Sequence, residues 1–306
     1  MVSPPSEHRG QDARTWTVQE VLRWTTGRFD RAGIPTARLD AEILLARALG
    51  CNRLDLYLEH DRPLDAKERE VYREMVRRRA SGEPAAYLLG AKEFYGRSFK
   101  IDRRVLIPRP ETEHLVDEAL DAIRDTDASA GKSGPVLDLC AGSGCVGISI
   151  AAELSELSVV AVELSSDAAA LARENSEQLG VGDRVRVLVG DLFEPVRSAD
   201  LGPFSAIVAN PPYISSGEMS DLMRDVREHE PRQALEAGPR GTEILERIMH
   251  EAPDFAVPGA PIVLEHGEGQ GAALIDLATA SGRYNKVRDV RDHADLDRVL
   301  VAHVTK

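Results

Sequence analysis

The sequence predicts an α/β protein with two parts: a small helical domain, then a larger domain built on a mostly parallel, seven-stranded sheet. Two patterns predict this. From Glu111 onward apolar strand-like runs alternate with helical periods, the order that right-handed crossovers between parallel strands impose. Before that, residues 16–80 carry helical periods and helix caps without strand patterning. The length of 306 residues suits two domains, and 42% hydrophobic against 29% charged residues leaves ample material for their cores.

Residues 1–15 are polar, contain Pro4, Pro5 and Gly10, and lack the apolar middle of a signal peptide, so they read as a disordered leader. Thr17 and Glu20 form a capping-box pair ahead of a first helix bearing Val18, Val21, Leu22 and Phe29. A second helix is expected near 37–49, burying Leu39, Ile43 and Leu44 or Leu45, with Gly50 at its stop. A third begins near Asp65, where Glu68 completes another capping pair, and shows Val71, Tyr72, Met75 and Val76 on its apolar face. Arg77, Arg78 and Arg79 end it, as cations that complement the helix dipole or contact a partner.

Gly82, Pro84, Gly90 and Gly96 punctuate short apolar and aromatic pieces between 81 and 108, which predicts an extended or hairpin linker. Strands are expected at 136–139, 159–162, 185–189, 204–208, 262–264, 287–290 and 299–304. Helices are expected near 113–123, 146–154, 168–179, 242–248 and 272–279. No helix separates the last two strands, so they form an antiparallel pair at one side of the sheet.

Charge is unevenly placed. Residues 1–108 hold 20 Lys+Arg against 16 Asp+Glu, whereas residues 109–306 hold 18 against 35, within a net charge of -13. So acidic a second part argues against stable nucleic-acid binding, which needs cations for phosphates. The three cysteines, Cys51, Cys140 and Cys145, lack disulfide or metal spacing, which fits a reducing cytoplasmic setting and no metal. No run of about 18 apolar residues exists to span a membrane.

Two segments carry chemistry. The first, Val136-Leu137-Asp138-Leu139-Cys140-Ala141-Gly142-Ser143-Gly144-Cys145-Val146-Gly147, reads as a strand, a Gly-rich turn and a helix start. Glycines let a ligand approach the backbone, and the helix start offers unpaired N–H groups. Glu163, at the end of the next strand, can accept both hydroxyl hydrogens of a ribose. Gly142, Gly144 and Gly147 also spell G-x-G-x-x-G, so a nicotinamide-dependent oxidoreductase and a ligand-free turn are alternatives. Asp138 ahead of the glycines instead resembles the first motif of class I methyltransferases, since acids suit a positive sulfonium better than a pyrophosphate.

The second segment runs from the apolar strand at 204–208 into Asn210-Pro211-Pro212-Tyr213. Prolines fix an extended turn and withdraw their own N–H groups, leaving the carbonyls of Asn210 and Pro211 and the Asn210 side chain as acceptors. Two acceptors aimed at one NH2 group orient a planar nitrogen toward an electrophilic methyl, and Tyr213 supplies an aromatic wall. A rigid proline turn without function is the plain alternative.

At this point the chain resembles the release factor glutamine methyltransferase family, from about Trp16 to Val304. Further carriers of the likeness are Gly82-Glu83-Pro84-Ala85-Ala86-Tyr87-Leu88, Glu93-Phe94-Tyr95-Gly96 and, above all, Leu106-Ile107-Pro108-Arg109-Pro110-Glu111-Thr112-Glu113. Gly190-Asp191-Leu192-Phe193, Glu230-Pro231 with Ala234-Leu235, and Gln270 complete them. The resemblance implies a helical substrate-recognition domain at 16–80, a hairpin linker at 81–108 and a Rossmann-like class I methyltransferase domain at 109–306. It implies S-adenosylmethionine as cofactor and the glutamine of the Gly-Gly-Gln loop of class I peptide chain release factors as target. By motif position Asp138, Cys140, Ala141, Gly142, Ser143, Gly144, Glu163 and Asn210 touch the cofactor, and Asp191 and Leu192 flank its adenine. Asn210, Pro211, Pro212 and Tyr213 hold the glutamine amide; Arg109 to Glu113, with Arg109 and Glu111 foremost, shape the pocket or serve only as a helix start after Pro110; and a monomer is expected.

The chain departs from the family pattern at several points. Cys140 stands where many relatives have glycine, Ala141 replaces a common Thr, and Glu163 replaces the commoner Asp. Residues 237–242 differ from the usual Gly-Gly-x-Asp-Gly stretch, and His266 replaces an apolar residue. The competing functions are a methyltransferase of exocyclic amino groups in DNA or RNA, a methyltransferase of another protein, and a partner-binding protein that has lost turnover.

Overall fold

The computed structural model describes residues 15–130, 134–292 and 294–305, so the expected leader lies outside the described residues except for Thr15. They divide into two compact units, Leu89 being the last residue of the first and Gly90 the first of the second.

The first unit is helical: α1 (Val18–Arg31), α2 (Ala37–Leu49), α3 (Arg53–Leu58), α4 (Ala66–Ala80) and α5 (Ala85–Leu89). The capping boxes at Thr17/Glu20 and Asp65/Glu68 both form, and Gly50 closes α2 in the left-handed conformation. Val21, Leu22, Phe29, Leu44, Leu45, Tyr72 and Val76 build its core. Leu39, expected inside, is 41% exposed. The buried face of α2 instead carries Asp40, whose carboxylate meets the equally buried Arg79 at 2.6 Å. A salt bridge in the core thus shifts the helix from the face that apolar periodicity selects. Arg78 pairs with Glu83 and Arg77 with Glu74, so each member of the arginine run has a carboxylate partner.

Segment 81–108 is less extended than expected. Pro84 opens α5, accepting the Leu88 N–H at its carbonyl, because proline's fixed φ suits a first helical turn. Only then come the hairpin strands β1 (Ala91–Phe94) and β2 (Arg97–Lys100) of the second unit.

The second unit continues with α6 (Thr112–Ala130), β3 (Val136–Leu139), α7 (Cys145–Glu153), β4 (Val159–Glu163), α8 (Ser166–Gln178), β5 (Val185–Val189), α9 (Glu194–Ser198) and β6 (Ala206–Ala209). Next are β7 (Ile214–Ser215), α10 (Arg224–His229), β8 (Glu236–Gly238), α11 (Glu243–Phe255), β9 (Pro261–Glu265), α12 (Gly271–Ser281), β10 (Tyr284–Arg291) and β11 (Asp297–Val304). Seven strands form one sheet in the order β10-β11-β9-β6-β3-β4-β5. Strands β9, β6, β3, β4 and β5 are parallel, and β11 and β10 add antiparallel as expected. On one face Leu137, Leu139, Val160, Val162, Ile207, Ala209, Ile262 and Leu264 pack against Val196, Leu245, Ile248, Met249, Leu274 and Ala278 of α9, α11 and α12. Burial on both faces explains why these strands read as continuous apolar runs. Among the described residues no helix is long and apolar enough to cross a membrane.

Candidate active site

The chain winds from β3 outward through β4 to β5, then returns to place β6 on the other side of β3. Ligands of open α/β sheets bind at such a reversal, beyond the carboxyl ends of the strands. Register then brings distant residues level. Leu139 pairs with Val162 and with Ala209, and Ala209 pairs with Leu264. The residues that follow, Glu163, Cys140, Asn210 and Glu265, therefore stand in one row along the rim.

In the Gly-rich turn Cys140, Gly142 and Gly144 have φ of 57°, 55° and 80°. Nothing lies within 4 Å of where a Gly142 side chain would begin, so backbone there is open to a ligand. Gly144 has a backbone role instead, because a Cβ would stand 2.7 Å from Ile148 Cδ1. A Cβ on Gly147 would stand 2.7 Å from Asp138 Oδ2 and 2.9 Å from Val159 Cγ1. The third glycine thus lets α7 pass close over the sheet, and its N–H donates to Asp138 Oδ2 at 2.9 Å.

Burial pushes the Asp138 carboxyl up to about 7; the Gly147 N–H opposes this and the Glu163 charge adds to it. Glu163 accepts from the Gly142 N–H at 2.8 Å and the Ser165 N–H at 2.9 Å, which fixes its carboxylate at the rim. Burial also pushes the Cys140 and Cys145 thiols up, leaving both protonated and weakly nucleophilic. Asn175 of α8 donates to Ser143 O at 2.9 Å and to Lys100 O at 3.1 Å, tying the turn to the hairpin.

The proline turn after β6 is braced from three sides. Asn210 Nδ2 donates to Thr112 Oγ1 at 3.1 Å. The Tyr213 hydroxyl donates to Glu265 Oε1 at 3.3 Å, and Gln270 Nε2 donates to the Tyr213 carbonyl at 2.9 Å. Burial pushes the Glu265 carboxyl up to about 7, against the Thr112 hydroxyl, Arg298 and Tyr213. Its Oε2 is buried without a hydrogen-bond partner.

A cavity of about 260 Å³ opens over this rim. Of the residues expected to form the site, Asp138, Cys140, Ala141, Gly142, Ser143, Glu163, Asp191, Leu192, Asn210, Pro212 and Arg109 line it. Pro211, Tyr213, Gly144 and Glu111 are not on its wall. Tyr213, expected as an aromatic wall, turns its hydroxyl to Glu265, off the cavity wall, because that buried carboxyl offers an acceptor. Glu111 is exposed, and its neighbour Thr112 lines the cavity instead, since the start of α6 turns that side chain inward.

Asp191 pairs with Arg247 of α11 at 2.6 Å. The far wall joins linker to loop: buried Glu230 accepts from the Ile107 N–H at 3.0 Å and from Arg109 Nη2 at 2.6 Å. Pro231, Gln233 and Ala234 just beyond it line the cavity.

Sequence reasoning gave Asn175, Glu230, Glu265 and Gln270 no role. All but Asn175 belong to or adjoin segments that carry the family resemblance, and that was their only signal. The residues present fit a cationic, ribose-bearing cofactor: Asp138, Glu163 and Asp191 put carboxyl groups on the wall beside the open backbone of Gly142. Among the described residues no group of three or more His, Cys, Asp or Glu could hold a metal ion.

Comparison with known proteins agrees with this geometry. Residues 20–90 match the PrmC N-terminal domain and residues 115–238 the methyltransferase small domain. Among solved structures, the human METTL16 catalytic domain in complex with a MAT2A 3'UTR hairpin superposes with a TM-score of 0.56 at 17% identity, over 72% of this chain and 81% of that one. The human methyltransferase 10 domain containing protein does so with a TM-score of 0.50 at 16% identity, over 69% and 90%. Both likenesses are of fold. The release factor glutamine methyltransferase of Rhodopirellula baltica is 42% identical over 93% of this chain and 95% of its own. That of Bacillus subtilis is 36% identical over 95% and 99%. The chain belongs to the release factor glutamine methyltransferase family.

Proposed function

We propose that this protein methylates the side-chain amide nitrogen of the glutamine in the Gly-Gly-Gln loop of class I peptide chain release factors, and so acts on translation termination in the cytoplasm. The observation that carries the reading is the placement of Asn-Pro-Pro-Tyr on the strand beside the Gly-rich turn, at one level of the sheet. S-adenosylmethionine supplies an electrophilic methyl group. Asp138, Glu163 and Asp191 hold its charged and polar parts at the rim, and Leu192 covers its adenine.

An amide nitrogen is a poor nucleophile because its lone pair is delocalised. Asn210 Oδ1 and the Pro211 carbonyl accept its two N–H groups, which turns the nitrogen and stabilises positive charge as it develops. The nitrogen takes the methyl in one displacement as the bond from that carbon to sulfur breaks, and then gives up one N–H proton to water. The catalysis is therefore positioning plus electrostatics, with no covalent enzyme intermediate. Residues 16–80, which have a core of their own, serve substrate recognition, and the protein works as a monomer.

Incubating a class I release factor with the protein and S-adenosylmethionine tests the reading by mass spectrometry. One added methyl on the Gly-Gly-Gln glutamine is expected. Its absence, with cofactor still bound, would overturn the choice of substrate.

A further inference from the structure

We infer that Gln270 is a positioning residue: it pins the Asn-Pro-Pro-Tyr turn, and the β7–β8 ribbon behind it, to the start of α12. It thereby sets where the target amide stands relative to the cofactor side of the cavity. The inference rests on the reading of that turn as the holder of the target glutamine.

The turn is short of anchors of its own. Pro211 and Pro212 have no N–H to donate, so the chain there is held through carbonyls and side chains. Gln270, the residue before α12, takes hold at the far end of the turn. Its Nε2 donates to the Tyr213 carbonyl at 2.9 Å and to the Gly241 carbonyl at 3.3 Å. Its Oε1 accepts from the Gly267 N–H at 2.9 Å. All three partners are backbone groups of fixed polarity, so the carboxamide has one orientation. Turned over, it would set its oxygen against two carbonyls and its NH2 group against an N–H.

The surrounding packing is shaped for this clamp. Gly241 has φ of 80°, and a Cβ there would stand 2.7 Å from Tyr213 O and 3.0 Å from Gln270 Nε2. A Cβ on Gly267 would stand 3.2 Å from both Gln270 Oε1 and Tyr213 Cδ2. Gly267 is itself fixed by the buried ring of His266, with Nδ1 2.9 Å from Gly267 O and Nε2 3.0 Å from Asp289 Oδ1. Asp289 reaches that ring past Gly271, where a Cβ would stand 1.7 Å from its Oδ2.

Turn and cavity wall move as one body. The Ile214 N–H donates to Leu235 O at 3.0 Å and the Ser216 N–H to Gly238 O at 2.8 Å. Ala234 and Glu236, on either side of Leu235, line the cavity. A body released from Gln270 displaces the amide acceptors, which lowers kcat, and the wall, which raises KM. Glu163 is held separately, by the Gly142 and Ser165 N–H groups, so the cofactor side stays.

The test uses Gln270→Met, nearly isosteric, Gln270→Glu, which keeps the acceptor for Gly267, and Gly241→Ala, which jams the same junction from its other side. Each is assayed for release factor methylation, for S-adenosylmethionine affinity by calorimetry, and for backbone hydrogen exchange by NMR. We expect kcat/KM to fall about a hundredfold in each, through both kcat and KM, with cofactor affinity within about threefold of the parent. The Gln270→Met/Gly241→Ala double variant stays within about threefold of the slower single, because one junction is broken once. Exchange of the Ile214 and Ser216 N–H quickens in the Gln270 variants, and that of the Gly142 and Gly147 N–H does not.

Parental kcat/KM in Gln270→Met overturns the inference. So does a cofactor affinity that falls as far as kcat/KM, which would make Gln270 a support of the whole rim. Should the unmodified protein methylate no release factor, the substrate reading falls instead. Exchange at Ile214 and Ser216 then still decides whether Gln270 pins the ribbon.

Discussion

Asn210 and Thr112 lie 98 positions apart in the chain, yet the amide nitrogen of one donates to the hydroxyl of the other at 3.1 Å. The contact joins the end of β6 to the start of α6. Replacing Asn210 by alanine removes both this bond and the acceptor that faces the cavity. Turnover should fall by about 10²–10³, as for loss of one preorganised polar group at a reacting centre. Calorimetry should still detect cofactor binding. Near-parental turnover would sink the role assigned to Asn210.

Gly147→Ala tests the packing under the Gly-rich turn. The added Cβ would come within 2.7 Å of Asp138 Oδ2 and 2.9 Å of Val159 Cγ1, so the carboxylate must move. Overpacking of this kind costs about 1–3 kcal/mol. We expect a lower melting temperature and at least tenfold weaker cofactor affinity. Unchanged affinity would show that Asp138 does not help to bind the cofactor.

Asp138 makes stability depend on pH. Its carboxyl titrates near 7 when folded, raised from the ordinary 3.8. Between those values the folded chain holds a proton that the unfolded chain has released. The contribution is therefore full below about pH 4 and is lost as pH rises through 7. Glu265, pushed up to about 7 from 4.5, acts in the same direction. Asp138→Asn should melt higher than the parent at pH 8 without cofactor, by a margin that shrinks toward pH 5. Thermal scans across that range measure it, and a margin independent of pH contradicts the burial of an ionisable group.

Glu230 and Arg109 are unequal partners. The Glu230 side chain is 1% exposed and the Arg109 side chain 31%. Glu230→Ala frees the Ile107 N–H as well as the arginine, and should cost about 3 kcal/mol in urea denaturation. Arg109→Ala leaves Glu230 its backbone donor and should cost less, about 1–2 kcal/mol. The reverse order would mean that the arginine, not the glutamate, anchors this wall.

In the helical unit, Asp40→Ala removes the carboxylate partner of Arg79, whose side chain is 6% exposed and keeps only backbone acceptors such as the Glu83 carbonyl. Losing one member of a buried pair costs about 3–5 kcal/mol. Asp40→Leu combined with Arg79→Met should recover most of that loss. Denaturation of the two variants side by side decides whether the pair is structural.

Sheet and helices were legible because buried parallel strands are short apolar runs, and because Thr17, Glu20, Asp65 and Glu68 announce helix starts locally. The Gly-rich turn was legible for the same reason, its glycines and acid lying within ten residues of one another. Where legibility failed, the cause is tertiary. Ile107 and Glu230 are 123 positions apart, and nothing in either neighbourhood states their bond. Leu39 was placed inside because periodicity counts apolar side chains and is blind to a buried Asp40–Arg79 pair. Tyr213 reads as a wall by its ring, but its hydroxyl follows a carboxyl that only the fold brings near.

The row of Glu163, Cys140, Asn210 and Glu265 makes the sheet a ruler. Neighbouring strands repeat at about 4.8 Å, a spacing set by backbone hydrogen bonds and independent of side chains. The gap between the Gly-rich turn after β3 and the proline turn after β6 is thus one division of that scale. Loop residues can change which molecule is admitted, but they cannot lengthen the gap. Substitutions at 230–242 can therefore reshape the wall that Pro231, Gln233, Ala234 and Glu236 line while that gap stays constant.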